Sequence, residues 1–348
     1  MPTDATVLLR ALRALLPDAG ETRVLRACLC GDDATGLPPE RIGGRLAPLL
    51  NAAAGPRLPD RAVRAFLKAA VVHEELRSRE YLRVCAIVFS ALPVPFLVLK
   101  GAALGESIYG NQALRHSHDI DLLVREQDRA AAAGALLDAG FVPRAEEFVH
   151  PCGLPVRVET RLFRPDYYQS AFDPLRERSA TATVAGYAVR VLSPADSLLL
   201  ACGYASWSPQ RSTLQWACDT WMITHRCAVD WDVLVATAEG SRLTAPLSVM
   251  LNYVRAELGA RIPEDVPERL ARLPVPAQAR DLALFGARHG ARRSIFKAAG
   301  GWPARLRLLR WILFPSSEYV RQACAAHPGT PLPLVYLMRP ARYLFTRA

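Results

Sequence analysis

Residues 119–124 read Asp-Ile-Asp-Leu-Leu-Val, and an earlier apolar run, Phe96 to Leu99, ends in the pair Lys100-Gly101. On a strand, side chains alternate faces with period two, so Asp119 and Asp121 project the same way. Two carboxylates that close repel, and each raises the other's pKa, unless a cation lies between them. The chain must therefore fold so that a positive group meets one face of this strand. Lysine is scarce here: of 43 basic residues only Lys68, Lys100 and Lys297 are lysines. An ammonium at position 100, where arginine serves almost everywhere else, points to a need for a compact charge.

The surrounding pattern sets the organisation. Up to residue 92 apolar side chains recur at three- and four-residue spacing, as in "DRAVRAFLKAAVVHEELRSREYLRVCAIVFSAL", and predict helices. The prolines of "LPVPF" end them. "FLVLK" reads as a strand and "GAALGESIYG" as a short helix capped by Gly110. "DIDLLV" reads as a second strand and "REQDRAAAAGALLDAGF" as a helix ending at Gly140. In "LPVRVETRLF" Val156, Val158 and Thr160 share one strand face, and Arg157, Glu159 and Arg161 the other. "VAGYAVRVL" reads as a further strand. Ser193 is the expected N-cap of the next helix, with Pro194 and Asp196 in its first turn, and Asp230 caps a later one. The expected fold class is α+β: a small mixed-sheet core over 93–192, an N-terminal helical region over 1–92 and a C-terminal helical domain with a basic tail over 193–348.

Several classes are set aside. The opening segment has Asp4 and no basic n-region, so no signal peptide is expected. The charge-free runs are too short or too interrupted to span a bilayer, so no transmembrane segment is expected. The eight cysteines are dispersed and read as reduced side chains of a cytoplasmic protein. No Ser-His-Asp set, P-loop or zinc spacing is evident.

The mixed unit carries the chemistry. A helix starting after Lys100-Gly101 presents free N–H groups and a positive dipole end, a seat for phosphate, and Gly101 lets a ligand approach the backbone. Asp119 and Asp121, with Glu159 as candidate neighbour on a third strand, suit Mg²⁺, which takes carboxylates together with substrate phosphates and water. Two ions would clamp the attacking and leaving oxygens of an in-line displacement. Arg115 and His118 either meet a triphosphate or balance the carboxylates.

The order Lys-Gly, helix, Arg, Asp-hydrophobic-Asp, helix, Gly-aromatic and a third acidic strand resembles the nucleotidyltransferase superfamily with the polymerase-β-type fold. More narrowly it is similar to the group called uncharacterised nucleotidyltransferases. "LSPADSLLLACGYA", "STLQWACDTWMITHRCAVDWDVL", "LFPSSEYVRQ" and "LPLVYLMRPARY" extend the likeness over roughly residues 60–345. The resemblance implies that Lys100, Gly101 and Ala102, with Arg115 and His118, hold the nucleotide. It implies that Asp119, Asp121 and Glu159 bind the metals, and that Asp219 lies on the acceptor side unless it forms a buried pair with an arginine. It implies attack of an acceptor hydroxyl on the α-phosphorus of an NTP. The family pattern has Gly-Ser or Gly-Gly where this chain has Gly101-Ala102, and often His-Trp where Thr160-Arg161 stand.

The acceptor class stays open between a small hydroxylated metabolite, an RNA such as a tRNA end, and a protein hydroxyl. A non-catalytic nucleotide-binding protein retaining the fold is the alternative of another kind. Residues 291–348 hold ten of the basic residues and one acidic residue, Glu318, against a net charge of +10 for the whole chain. This tail suits RNA or, through "WPARLRLLRWILF", an anionic membrane surface; solvated helix faces are its plainer reading.

Overall fold

The computed structural model describes residues 15–273 apart from 38, 164–170 and 208–213, with scattered positions between 9 and 13 and between 302 and 336. Asp18 opens α1 (Ala19–Leu29) with a capping box, its side chain accepting from Glu21 N while the Glu21 carboxylate accepts from Asp18 N. α2 (Pro39–Ala54) is kinked at Gly43. α3 (Arg61–Ala91), capped by Asp60, runs for 31 residues and stops before the prolines, as expected.

The mixed unit follows in the order β1 (Phe96–Val98), α4 (Lys100–Ser107), β2 (Ile120–Val124), α5 (Arg129–Asp138), β3 (Val142–Arg144), β4 (Glu147–Val149), β5 (Pro155–Glu159), α6 (Phe172–Arg178), β6 (Ala180–Val184) and β7 (Tyr187–Val191). The seven strands form one sheet in the order β3-β4-β5-β2-β1-β7-β6. β2 pairs antiparallel with β1 and parallel with β5, so the carboxylate strand sits at the centre. The chain is α+β, as its pattern predicts. Helices α7 (Pro194–Trp207), α8 (Gln215–Arg226), α9 (Trp231–Gly240), α10 (Thr244–Leu258) and α11 (Asp265–Arg272) complete the described fold. Ser193 and Asp230 cap helices as expected. The basic tail lies mostly outside the described residues.

Strand alternation divides the interior in two. Val98, Ile120, Leu122, Val124, Val156 and Val158 face α3 and α5 on one side of the sheet. Leu97, Leu99 and Leu123 face the larger core, which α1, α2 and the C-terminal helices share. The first helix docks on α10 through Thr22 Oγ1 and Tyr253 OH at 2.8 Å and Arg26 Nη1 donating to Glu257 O at 2.9 Å. Asp119 and Asp121 have the parity of Leu123 and so face the helical side, where both are almost fully buried.

Two local expectations are corrected. Gly110 does not cap α4, which ends at Ser107; the Ile108 and Tyr109 amides both donate to Leu104 O, and Gly110 takes its left-handed turn (φ 72°) beyond them. The single strand expected over 184–192 is instead the end of β6, a turn at Ala185-Gly186 and β7, and the three-residue strands β3 and β4 fall where the sequence signals no strand.

Candidate active site

The turn between β1 and α4 is built around Gly101, whose backbone (φ 38°, ψ −115°) lies where L side chains rarely go. A Cβ there would sit 2.6 Å from the Tyr81 hydroxyl. That hydroxyl donates to Asp119 O and accepts from Ala102 N–H, each at 3.1 Å, so one buried side chain of α3 ties the turn to the start of the carboxylate strand. The Ala102 amide, expected to face phosphate, is thus occupied by Tyr81. Its methyl group is buried in the α3-side core.

Residues 111–118, which lead into β2, are strapped from both sides. From α3, Glu74 accepts from His116 Nδ1 at 2.9 Å and Arg77 donates to Ser117 O. From α8, Gln215 Nε2 donates to His116 O at 2.9 Å. Arg115 is buried: Nε and Nη2 donate to the two oxygens of Asp219 at 2.9 and 2.7 Å, and Nη1 reaches Ser117 Oγ at 3.1 Å and Gly101 O at 3.5 Å. Tyr109 OH donates to Asp219 Oδ1 at 2.9 Å. Asp219 is therefore the buried counter-ion of Arg115, the second of its two expected roles. Arg115 braces the turn from beneath, with Asp219 raising its pKa against the opposing effect of burial.

Two cations answer the repulsion between the carboxylates. Lys100 Nζ lies 3.1 Å from Asp121 Oδ2 and 4.2 Å from the centre of the Tyr204 ring on α7. Arg157 Nη1 lies 2.5 Å from Asp119 Oδ2 and 3.9 Å from Asp121 Oδ1, and its Nη2 is 3.3 Å from Glu147 Oε2. Burial lowers the Lys100 pKa, but Asp121 and then Asp119 outweigh it and hold the ammonium above its ordinary value. His118 Nε2 is 3.8 Å from Asp119 Oδ2. Burial, helped by Arg45, His116 and Arg157, outweighs Asp119 and keeps the ring below its usual pKa, hence neutral at pH 7.

The β2–β5 register places Arg157, not Glu159, opposite Asp121; Glu159 is opposite Leu123, one pleat further along. The Asp119, Asp121 and Glu159 carboxylates do not gather within 4.8 Å of one another. Lys100, Gly101, Arg115, His118, Asp119 and Asp219 line one cleft between the sheet and α7–α8. Tyr81 and Arg157 were not singled out in the sequence. Their roles depend on contacts across many residues of chain, although Arg157 does share a strand face with Glu159.

Two nearly buried carboxylates on one strand face, already matched by cations, are a hard-oxygen donor set of the kind Mg²⁺ takes with one or two protein carboxylates and substrate phosphates. The residues present fit such an ion through Asp119 and Asp121. Among the described residues no helix is long and apolar enough to cross a membrane.

A family model described as "uncharacterised nucleotidyltransferase" matches residues 39–259. No curated protein and no solved structure matches the chain. The match spans more than half of the 348 residues and contains the whole sheet, the Gly101 turn and both aspartates. By that match, the chain belongs to the uncharacterised nucleotidyltransferase family.

Proposed function

We propose that this nucleotidyltransferase moves an NMP from an NTP to a hydroxyl of a small metabolite and releases pyrophosphate, using Mg²⁺. The observation that carries the proposal is the Lys100–Asp121 contact beside the Gly101 turn: a charged ammonium and paired carboxylates meet at the mouth of a helix-starting turn. The residues of 93–192 form the catalytic unit in this reading.

Asp119 and Asp121 would hold the metal, as one or two ions, and bound Mg²⁺ supplies charge neutralisation on the phosphates. Lys100, kept protonated, offers a compact charge to the phosphate oxygens. Gly101 lets the turn take a backbone that L side chains rarely adopt, and Tyr81 and Arg115 hold that turn in place beside the cleft. Glu159 takes the proton of the acceptor hydroxyl as its oxygen bonds to the α-phosphorus, and the bond from that phosphorus to the bridging oxygen breaks to release pyrophosphate. His118, neutral, adds no charge to this balance.

RNA is the second acceptor class, favoured by the excess of basic residues over 291–348. Its binding would weaken steeply with salt, unlike that of a small acceptor. The test is label transfer from each of the four α-labelled NTPs, with Mg²⁺, into separated metabolite, RNA and protein fractions. Label in the metabolite fraction, lost in Asp119→Asn and Asp121→Asn, supports the proposal. Label in RNA moves the acceptor to the second class. No transfer into any fraction leaves the fold as a nucleotide-binding scaffold and contradicts the reading.

A further inference from the structure

We infer that Glu80, His150 and Cys152 form a binding site for one thiophilic divalent cation of the zinc type, separate from the Asp119–Asp121 pair. Among the described residues these are the one group of three whose ligand atoms all lie within 4.8 Å of one another. None of them lines the nucleotide cleft. His150 and Cys152 belong to the tight turn between β4 and β5, closed by Gly153 N donating to His150 O at 2.7 Å and His150 N to Leu154 O at 2.9 Å. Glu80 comes from α3.

The hydrogen bonding fixes the state of the imidazole. Cys152 N–H donates to His150 Nδ1 at 3.2 Å, and the Cys152 thiol lies 3.0 Å from the same nitrogen. An amide can only donate, so Nδ1 is the acceptor and the ring proton sits on Nε2; the bond from the Cys152 amide gives way when Nδ1 takes a metal. Phe141 packs edge-on against the ring at 5.2 Å. Arg83 Nε and Nη2 donate to the Glu80 oxygens at 2.9 and 2.6 Å. A carboxylate has about four lone-pair sites, so these two bonds orient Glu80 and leave it able to bind.

The donor set selects the metal. A thiolate, an imidazole and a carboxylate suit zinc, whereas Mg²⁺ and Ca²⁺ take oxygen. At a tetrahedral zinc with Zn–N about 2.0 Å and Zn–S about 2.3 Å, nitrogen and sulfur stand about 3.5 Å apart. The pair observed at 3.0 Å therefore opens by about half an ångström, a small side-chain rotation in an exposed turn. On binding, the Cys152 S–H bond breaks, its proton goes to solvent and sulfur bonds to the metal, with water in the fourth position. The bound ion clasps the β4–β5 turn to α3, one residue from Tyr81 and at the start of the strand that carries Arg157.

The test is a Co²⁺ titration of the full chain, stripped with a chelator and reduced with a phosphine. The expected result is saturation at one equivalent, with a thiolate-to-cobalt absorption band that Zn²⁺ displaces. Cys152→Ser should abolish the band and retain the wild-type circular dichroism and NTP binding. Glu80→Gln should weaken Co²⁺ binding by roughly 10-fold or more, as loss of an anionic ligand does. Absence of the band, or a band that survives in Cys152→Ser or is undiminished in His150→Ala, would overturn the inference.

Discussion

Arg157 lies directly across from Asp121 in the β2–β5 pairing and places its guanidinium between Asp121 and Asp119, 2.5 Å from the latter. The repulsion written into the Asp-Ile-Asp triplet is thus answered by a residue of the neighbouring strand together with Lys100. A guanidinium in that place competes with any metal for the same oxygens.

Arg157→Gln should therefore bind Mg²⁺ several-fold more tightly than wild type when no nucleotide is present. Without Mg²⁺ it should lose roughly 1–3 kcal/mol of stability, because nearly buried Asp119 loses its guanidinium and Lys100 alone is left to offset the carboxylate pair, and added Mg²⁺ should restore much of it. Calorimetry and denaturant unfolding with and without Mg²⁺ check both halves. Unchanged metal affinity would show that the guanidinium does not compete.

Gly101→Ala should fold less stably by about 1–3 kcal/mol, since alanine is strained at this φ and ψ and its Cβ meets the Tyr81 hydroxyl. Nucleotide binding should fall further than stability does, because the turn itself shifts. Tyr81→Phe removes both hydrogen bonds without a steric clash and should cost about 1–2 kcal/mol. Comparing NTP affinity with melting temperature for the two variants separates the steric from the polar part.

Arg115 and Asp219 form a buried pair with both carboxylate oxygens engaged. Either single replacement, Arg115→Met or Asp219→Leu, strands a buried charge and should cost about 3–5 kcal/mol. The double variant should recover a large part of that loss, a coupling measured by urea unfolding of all four proteins. Additive losses would mean that the two side chains do not act as a pair.

Glu74 adds a pH dependence. Burial acts to raise its pKa, but His116 and Arg77 outweigh it and leave the carboxyl below the ordinary glutamate value. With a folded pKa below the unfolded one, its contribution is fully present above about pH 4.3 and disappears as the pH falls through the folded value. Glu74→Gln should therefore show a deficit of roughly 1–3 kcal/mol at about pH 5 that shrinks below about pH 4. Unfolding curves over that range would show it; a deficit independent of pH would assign the loss to packing.

What could be read from the sequence follows from what is local. Helical periodicity located α3, the Pro93–Pro95 stop and the caps at Ser193 and Asp230, each set by neighbouring residues. Period two placed Asp119 and Asp121 on one face and Arg157 with Glu159 on another strand. It could not tell which of these two would stand opposite Asp121, because register is set by pairing across the sheet. Tyr81 reads as one more apolar position of a helix. Its bonds to Ala102 and Asp119 appear only once α3 lies against the sheet. Asp219 looks acidic and available until Arg115, distant in sequence, fills both of its oxygens.

The most direct test of nucleotide transfer at this site is calorimetric NTP binding with and without Mg²⁺, on wild type and on Asp121→Asn. Metal-dependent binding of at least one of the four nucleotides, lost in the variant, is the predicted result. Binding that ignores both Mg²⁺ and Asp121, or no binding of any nucleotide, would contradict it.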